Sequence, residues 1–121
     1  MWQDAVSLYV LTCKIFQGFP FEQRKTVSNI IDSCHSFSRN IAEGYCRRGL
    51  KEYLNFLNIS LGSCGEFHSS YYCFVMAKQI NEDDFKKLDD LHYKVENQLI
   101  KLIEALQNKN ISDNWQKSFR K

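Results

Sequence analysis

At 121 residues the chain is long enough for one domain with its own core and leaves no room for a second. Its 44% hydrophobic and 25% charged residues are those of a soluble globular protein, and no apolar run reaches the roughly 18 residues of a membrane-crossing helix. A net charge of +2 points to no partner by itself; one proline and five glycines leave few places for turns, which favours a few long helices over many strands.

The first helix is predicted from about Trp2 to Gln17, because Trp2, Ala5, Val6, Tyr9, Cys13 and Phe16 recur at the three- and four-residue steps that line one helical face. Gly18 follows as a left-handed cap and Pro20 enforces the stop. A second helix is expected from about Glu22 to Cys46. Its stripe is Val27, Ile30, Ile31, Cys34, Ile41, Ala42 and Tyr45, weakened at Ser38, and Gly49 marks the corner that follows.

The third helix is the longest, from about Leu50 to Gln79, with Leu50, Tyr53, Leu54, Leu57, Leu61, Cys64 and Phe67 extended by Tyr71 and Phe74. Gly62 and Gly65 lie inside it, each costing about 1 kcal/mol in helix propensity. With Ser60 and Ser63 they either admit a close helix neighbour or mark a kink or break. Asn81 is a good N-cap for a fourth helix, and Glu82, Asp83 and Asp84 complement its dipole. Phe85, Leu88, Leu91, Val95, Leu99, Leu102, Ile103 and Leu106 carry that helix to about Gln107. Residues 109–121 hold no period and form a basic tail, either disordered or docking Trp115 and Phe119 on a neighbour. Short connections make successive helices antiparallel, so the expected fold is all-α: an up-down four-helix bundle over residues 1–108.

The opening residues lack a basic segment and include Asp4, which argues against a secretion signal and for a cytoplasmic protein. Five cysteines without CxxC spacing then read as buried free thiols, and the glycosylation patterns at Asn58 and Asn110 as chance.

The segment "RNIAEGYCRRGLKEYLNFLNISLGSCGE", residues 39–66, is the most distinctive in the chain. It resembles the signature of the four-helix-bundle proteins encoded in 23S rRNA intervening sequences. That resemblance rests on Asn40 through Gly44, Arg47, Lys51, Glu52, Tyr53, Phe56, Leu57, Ile59, Ser60, Gly62, Ser63 and Glu66. Trp2, Gln3, Ala5 and the Phe19-Pro20 step are similar to the family's first helix and turn, although the residues that usually precede the Trp-Gln pair are missing. Arg39 stands where a small residue is common, Gly49-Leu50 replaces a more polar pair, and Cys64-Gly65 precedes Glu66. The resemblance implies a bacterial cytoplasmic bundle that assembles into a ring-like homo-oligomer, a pentamer. The fold is also similar to that of the accessory variability proteins of diversity-generating retroelements, which bind nucleic acid and a reverse transcriptase.

Arg39, Arg47, Arg48 and Lys51 face only Glu43 between residues 39 and 51, and Lys109, Lys117, Arg120 and Lys121 face only Asp113 in the tail. Arg39–Glu43, Glu43–Arg47 and Arg48–Glu52 are spaced to pair along a helix at about 0.2–0.5 kcal/mol each. The same arginines suit phosphate, and five copies around a ring would add avidity to a weak corner. Both readings stand. Asn40, Glu43, Gly44, Glu52, Gly62 and Glu66 are read as structural, with Asn55, Asn58 or Ser60 as partners for Asn40 and Glu43.

Cys64 and His68 are spaced as a usable ligand pair, but no Glu-x-x-His occurs, so neither metal nor cofactor is expected. No nucleophile elbow, P-loop or dinucleotide fingerprint is present, which makes a non-enzymatic protein the expectation. Tyr71, Tyr72, Phe74 and Trp115 exceed what one stripe can bury, which points to burial between protomers or to base stacking. The leading expectation is nucleic-acid binding, RNA favoured, at Arg39, Arg47, Arg48 and Lys51, supplemented by Lys117, Arg120 and Lys121. The alternative is a protein-interaction scaffold or accessory subunit of a nucleic-acid-processing enzyme. No membrane is involved in either.

Overall fold

A computed structural model describes the backbone of residues 1–112 and the side chains of residues 1–109. Its four helices are α1 (Trp2–Phe16), α2 (Arg24–Tyr45), α3 (Leu50–Met76) and α4 (Glu82–Ser112), and the described residues include no strand. A 3-10 turn at Phe21–Gln23 precedes α2, which therefore begins slightly later than the sequence predicts. No helix among the described residues is long and apolar enough to cross a membrane.

Successive helices run antiparallel. Ser36 meets Ser63 and Gly44 meets Phe56 across α2–α3, while Tyr71 meets Asp89 and Cys64 meets His92 across α3–α4. α1 closes the bundle against α4, where Lys94 and Gln98 both reach Asp4.

The turns follow local chemistry. Gly18 takes φ +77°, the left-handed conformation expected of a cap, although the helix itself ends at Phe16. Asn81 caps α4 as expected: its side-chain oxygen accepts from the Asp84 N–H at 2.7 Å. The end of α3 differs from expectation. The Gln79 N–H donates to the Phe74 carbonyl and the Lys78 N–H to the Val75 carbonyl, closing a Schellman motif after Met76. Lys78 holds its left-handed position at φ 59° without being glycine.

The core departs from the predicted stripes in α1 and α2. α1 buries Ala5, Leu8, Thr12 and Phe16, while Trp2 is 49% exposed and Val6, Tyr9 and Cys13 are half-buried. That helix has a second apolar face, and the period alone does not say which one meets the bundle. Thr12 enters the core because its hydroxyl donates back to the Leu8 carbonyl at 2.7 Å. In α2 the central buried residue is Phe37, packed on Phe67, and Tyr45 stands 78% exposed.

α3 follows its predicted stripe, and Tyr71 and Phe74 are fully part of the core rather than surplus aromatics. Only Tyr72 of that group is exposed among the described residues; Trp115 lies outside them. The helix passes unbroken through Gly62 and Gly65, and nothing lies within 4 Å of a β-carbon built at either. No break occurs, and the close neighbour is met at Ser60 and Ser63, which touch the Phe37 carbonyl at 2.6 Å and Ser36 Oγ at 3.0 Å on α2, not at the two glycines. The glycine that permits a close approach is Gly44, where a β-carbon would stand 2.9 Å from Phe56 Cβ.

Candidate nucleic-acid interface

The α2–α3 corner is built by that glycine. With no side chain at Gly44, α2 settles on Tyr53 and Phe56 of α3, and the chain turns through residues 46–49. Above the contact, the Arg47 guanidinium lies 4.9 Å from the Phe56 ring centroid and donates to Glu43 Oε1 at 2.6 Å. Tyr45 and Tyr53 meet edge to face with centroids 6.2 Å apart. Burial, and then the neighbouring Tyr45, push the Tyr53 phenol above its ordinary range.

Of the three predicted helical ion pairs, the structure forms Glu43–Arg47. Arg48 precedes the first turn of α3, so helical spacing does not bring it to Glu52. Arg48, Lys51 and Glu52 are all exposed, with no side-chain hydrogen bond or ion pair among the described residues. Arg39 stands six residues, roughly 9 Å along the axis, before the end of α2 at Tyr45. It lines a separate polar groove of about 690 Å³ between α2 and α3, with Asp32, His35 and Glu66. Thus Arg47, Arg48 and Lys51 share the corner and Arg39 does not. Lys117, Arg120 and Lys121 lie outside the described residues.

The predicted polar network exists with different partners. Asn40 Nδ2 donates to the Ser36 carbonyl at 2.7 Å and to Ser36 Oγ at 3.2 Å, and Ser36 Oγ pairs with Ser63 Oγ at 3.0 Å. Ser60 donates to the Phe37 carbonyl at 2.6 Å, so it is not a partner of Asn40 or Glu43, whose side-chain hydrogen bonds among the described residues go to Ser36 and Arg47 rather than to Asn55 or Asn58. Glu43 is exposed and needs no buried partner, because its position on α2 faces outward beside Arg47. Glu66 lines the Arg39 groove, and Gly62 lies on the open face of α3.

Cys64 and His68 do not converge either. His68 Nε2 lies 3.6 Å from Asp89, and it is His92 of α4 that approaches Cys64, with Sγ to Nε2 at 3.9 Å. Glu96 completes a trio whose ligand atoms all lie within 4.8 Å of one another. Sequence reasoning missed His92 and Glu96. The signal was there: His92 takes a core place in the series Leu88, His92, Val95, Leu99, Ile103, where an apolar residue is expected.

Fold and corner together define a four-helix bundle with a basic, aromatic-backed turn between α2 and α3. The chain belongs to the 23S rRNA-intervening sequence protein family, whose model matches residues 1–101. It is similar in fold to a crystal structure of a protein of unknown function from the S23 ribosomal protein family of Bacteroides thetaiotaomicron. The TM-score is 0.66 at 20% identity, over 84% of this chain and 90% of that one. No curated protein matches the sequence.

Proposed function

We propose that this protein is a non-enzymatic bundle that binds nucleic acid, RNA in preference, through its α2–α3 corner as part of a ring-like homo-oligomer, a pentamer. The observation that carries the reading is the pair of exposed cations, Arg48 and Lys51, without an acidic partner among the described residues, beside an Arg47 already oriented on Phe56. Exposed cations of this kind attract phosphate with little desolvation cost, and their effect multiplies when copies are held together. Arg39 contributes less than Arg47, Arg48 and Lys51, because Asp32 and Glu66 share its groove.

The oligomer reading is supported by the outer face of α1 and α2. Trp2, Val6, Tyr9, Ala42 and Tyr45 line two shallow apolar grooves of about 360 and 320 Å³. Such a face is costly to leave in water and suits a second copy of the chain.

RNA affinity of the intact oligomer across a salt series tests the proposal, beside a variant with alanine at Arg39, Arg47, Arg48 and Lys51 that assembles equally. Tight binding with a steep salt slope that flattens in the variant is the expected result. Absence of binding at low salt, or identical slopes, overturns it. One observation favours a second reading, a scaffold or accessory subunit of a nucleic-acid-processing enzyme that touches no nucleic acid itself. Glu43 neutralises Arg47 within the corner, which leaves a small free positive charge on each protomer.

A further inference from the structure

The interior between α3 and α4 holds a cluster with no place in the reading above. His92 is 1% exposed and Cys64 is fully buried, and His92 is the one ring nitrogen base in a mainly apolar core among the described residues. His92 Nδ1 has no hydrogen-bond partner among the described residues, so Nε2 is the ring atom that faces ionisable neighbours. Nε2 is shared between Cys64 Sγ at 3.9 Å and Glu96 Oε2 at 3.5 Å. The carboxylate contact is too long for a good hydrogen bond, and the thiol contact lies at the far limit for sulfur.

Those lengths are close to the separations between ligand atoms around a common cation. With metal–sulfur at about 2.3 Å and metal–nitrogen or –oxygen near 2.0–2.2 Å, tetrahedral geometry sets sulfur and nitrogen about 3.6 Å apart and nitrogen and oxygen about 3.4 Å apart. Contraction by a few tenths of an ångström brings each measured pair to that separation, and the Cys64 and Glu96 ligand atoms, within 4.8 Å of each other, close by at most about 1.2 Å as the partly exposed Glu96 side chain turns inward. We propose that Cys64 Sγ, His92 Nε2 and a Glu96 carboxylate oxygen form a three-ligand site for a divalent transition cation, zinc by preference, between α3 and α4.

The donor set selects the class of ion. Thiolate with imidazole favours zinc and its neighbours over magnesium or calcium, which want oxygen ligands. His92 and Glu96 stand one helical turn apart on α4 and already contact each other, so α3 has only to supply the thiol. The His92 ring is held in place by its stack on His68, with centroids 5.0 Å apart, and His68 is in turn turned toward Asp89. Asp89 also accepts from the Tyr71 hydroxyl at 2.6 Å, which ties this support into the core. Glu96 keeps 24% of its side chain exposed, so the fourth position opens to water on that side. Without a cation, burial first and then the Glu96 charge push the Cys64 thiol up to about 12; binding displaces its proton.

The test uses the reduced full chain with Cys46→Ser and Cys73→Ser, which remove the two exposed thiols, stripped of metal and titrated with cobalt(II). One equivalent is expected to bind with a thiolate-to-cobalt charge-transfer band and the visible absorption of a tetrahedral site, and zinc should displace it. Cys64→Ala should abolish the band. Glu96→Gln, at a partly exposed position that leaves the helix intact, should weaken cobalt by at least about tenfold with unchanged helical circular dichroism. Absence of a charge-transfer band, its persistence in Cys64→Ala, or equal cobalt affinity in Glu96→Gln overturns the proposal. Should Cys64→Ala fail to fold, Glu96→Gln decides.

Discussion

Gly44 on α2 lies so near Phe56 on α3 that a β-carbon would stand 2.9 Å from Phe56 Cβ and 3.1 Å from Tyr53 Cδ1. Neither helix can yield cheaply, because Phe56 Cβ is fixed to its own backbone. Gly44→Ala is therefore expected to lower stability by about 1–3 kcal/mol, the usual cost of overpacking a close contact. Gly62→Ala is the matched control: it lies mid-helix with open space around it and should gain up to about 1 kcal/mol from helix propensity. Urea unfolding of both variants at fixed protein concentration checks the pair. Equal effects would mean that the α2–α3 approach at Gly44 is not tight.

The two glycines also show what the sequence can and cannot reveal. Helix number, the long α3 stripe and the Asn81 cap are legible because period and capping are local properties. Which glycine permits close approach is not local; it depends on what stands opposite, and the sequence points to Gly62 and Gly65 rather than to Gly44. The same holds for α1, whose two apolar faces share one period although Ala5, Leu8, Thr12 and Phe16 are the residues that reach the core. At the corner, the pairing of Arg48 with Glu52 failed because the helix starts after Arg48, and Asn40 turned back to Ser36 rather than across to α3. His92 was hidden for a different reason. A histidine among apolar letters reads as an interruption of the stripe until its neighbours across the bundle, Cys64 and His68, are known.

Lys78 offers a stabilising change. It occupies the left-handed position that ends α3, at φ 59°, where an L residue with a side chain costs about 1–2 kcal/mol. Glycine removes that strain but adds unfolded-chain entropy of about 0.5–1 kcal/mol. Lys78→Gly should therefore raise stability by up to about 1 kcal/mol, seen as a higher Tm at unchanged helical content. Lys78→Val, with branching at the β-carbon, should lower it. A loss of stability in the glycine variant would show that the Lys78 side chain contributes more than its backbone conformation costs.

Thiol reactivity should divide the cysteines by burial. Cys46 and Cys73 are exposed, Cys13 is half-buried, and Cys34 and Cys64 are enclosed. Burial pushes both enclosed thiols up to about 12, countered at Cys34 by the neighbouring Thr12 hydroxyl, 3.6 Å from its sulfur. The drop in thiolate fraction alone makes Cys34 and Cys64 slower to alkylate by on the order of a thousandfold at neutral pH. Pulse labelling with a maleimide and peptide mass mapping should find Cys46 and Cys73 modified first, and Cys34 and Cys64 only after denaturant is added. Early modification of Cys64 in native protein would contradict its enclosure between α3 and α4.

His92 makes the stability of the metal-free protein depend on pH below neutrality. Burial, and then the charge of His68, hold its imidazole down at about 4 from the ordinary 6.5, with Asp89 opposing the shift. Between those values the unfolded chain binds a proton that the native state refuses, so stability rises with pH across that window. The contribution is complete above about pH 6.5 and is lost on acidification toward pH 4, on the order of 2–3 kcal/mol in all. The upper part of the window, from pH 6.5 to 5, isolates the effect, because most carboxylates have not begun to protonate there. Urea unfolding in that range, with a chelator present, should show the parent losing about 1 kcal/mol per pH unit, the slope steepening as pH falls below 6.5. His92→Leu should flatten the dependence. Parallel slopes would mean that His92 takes up its proton in the folded bundle, which is incompatible with a ring enclosed between Cys64, Phe67 and Tyr71.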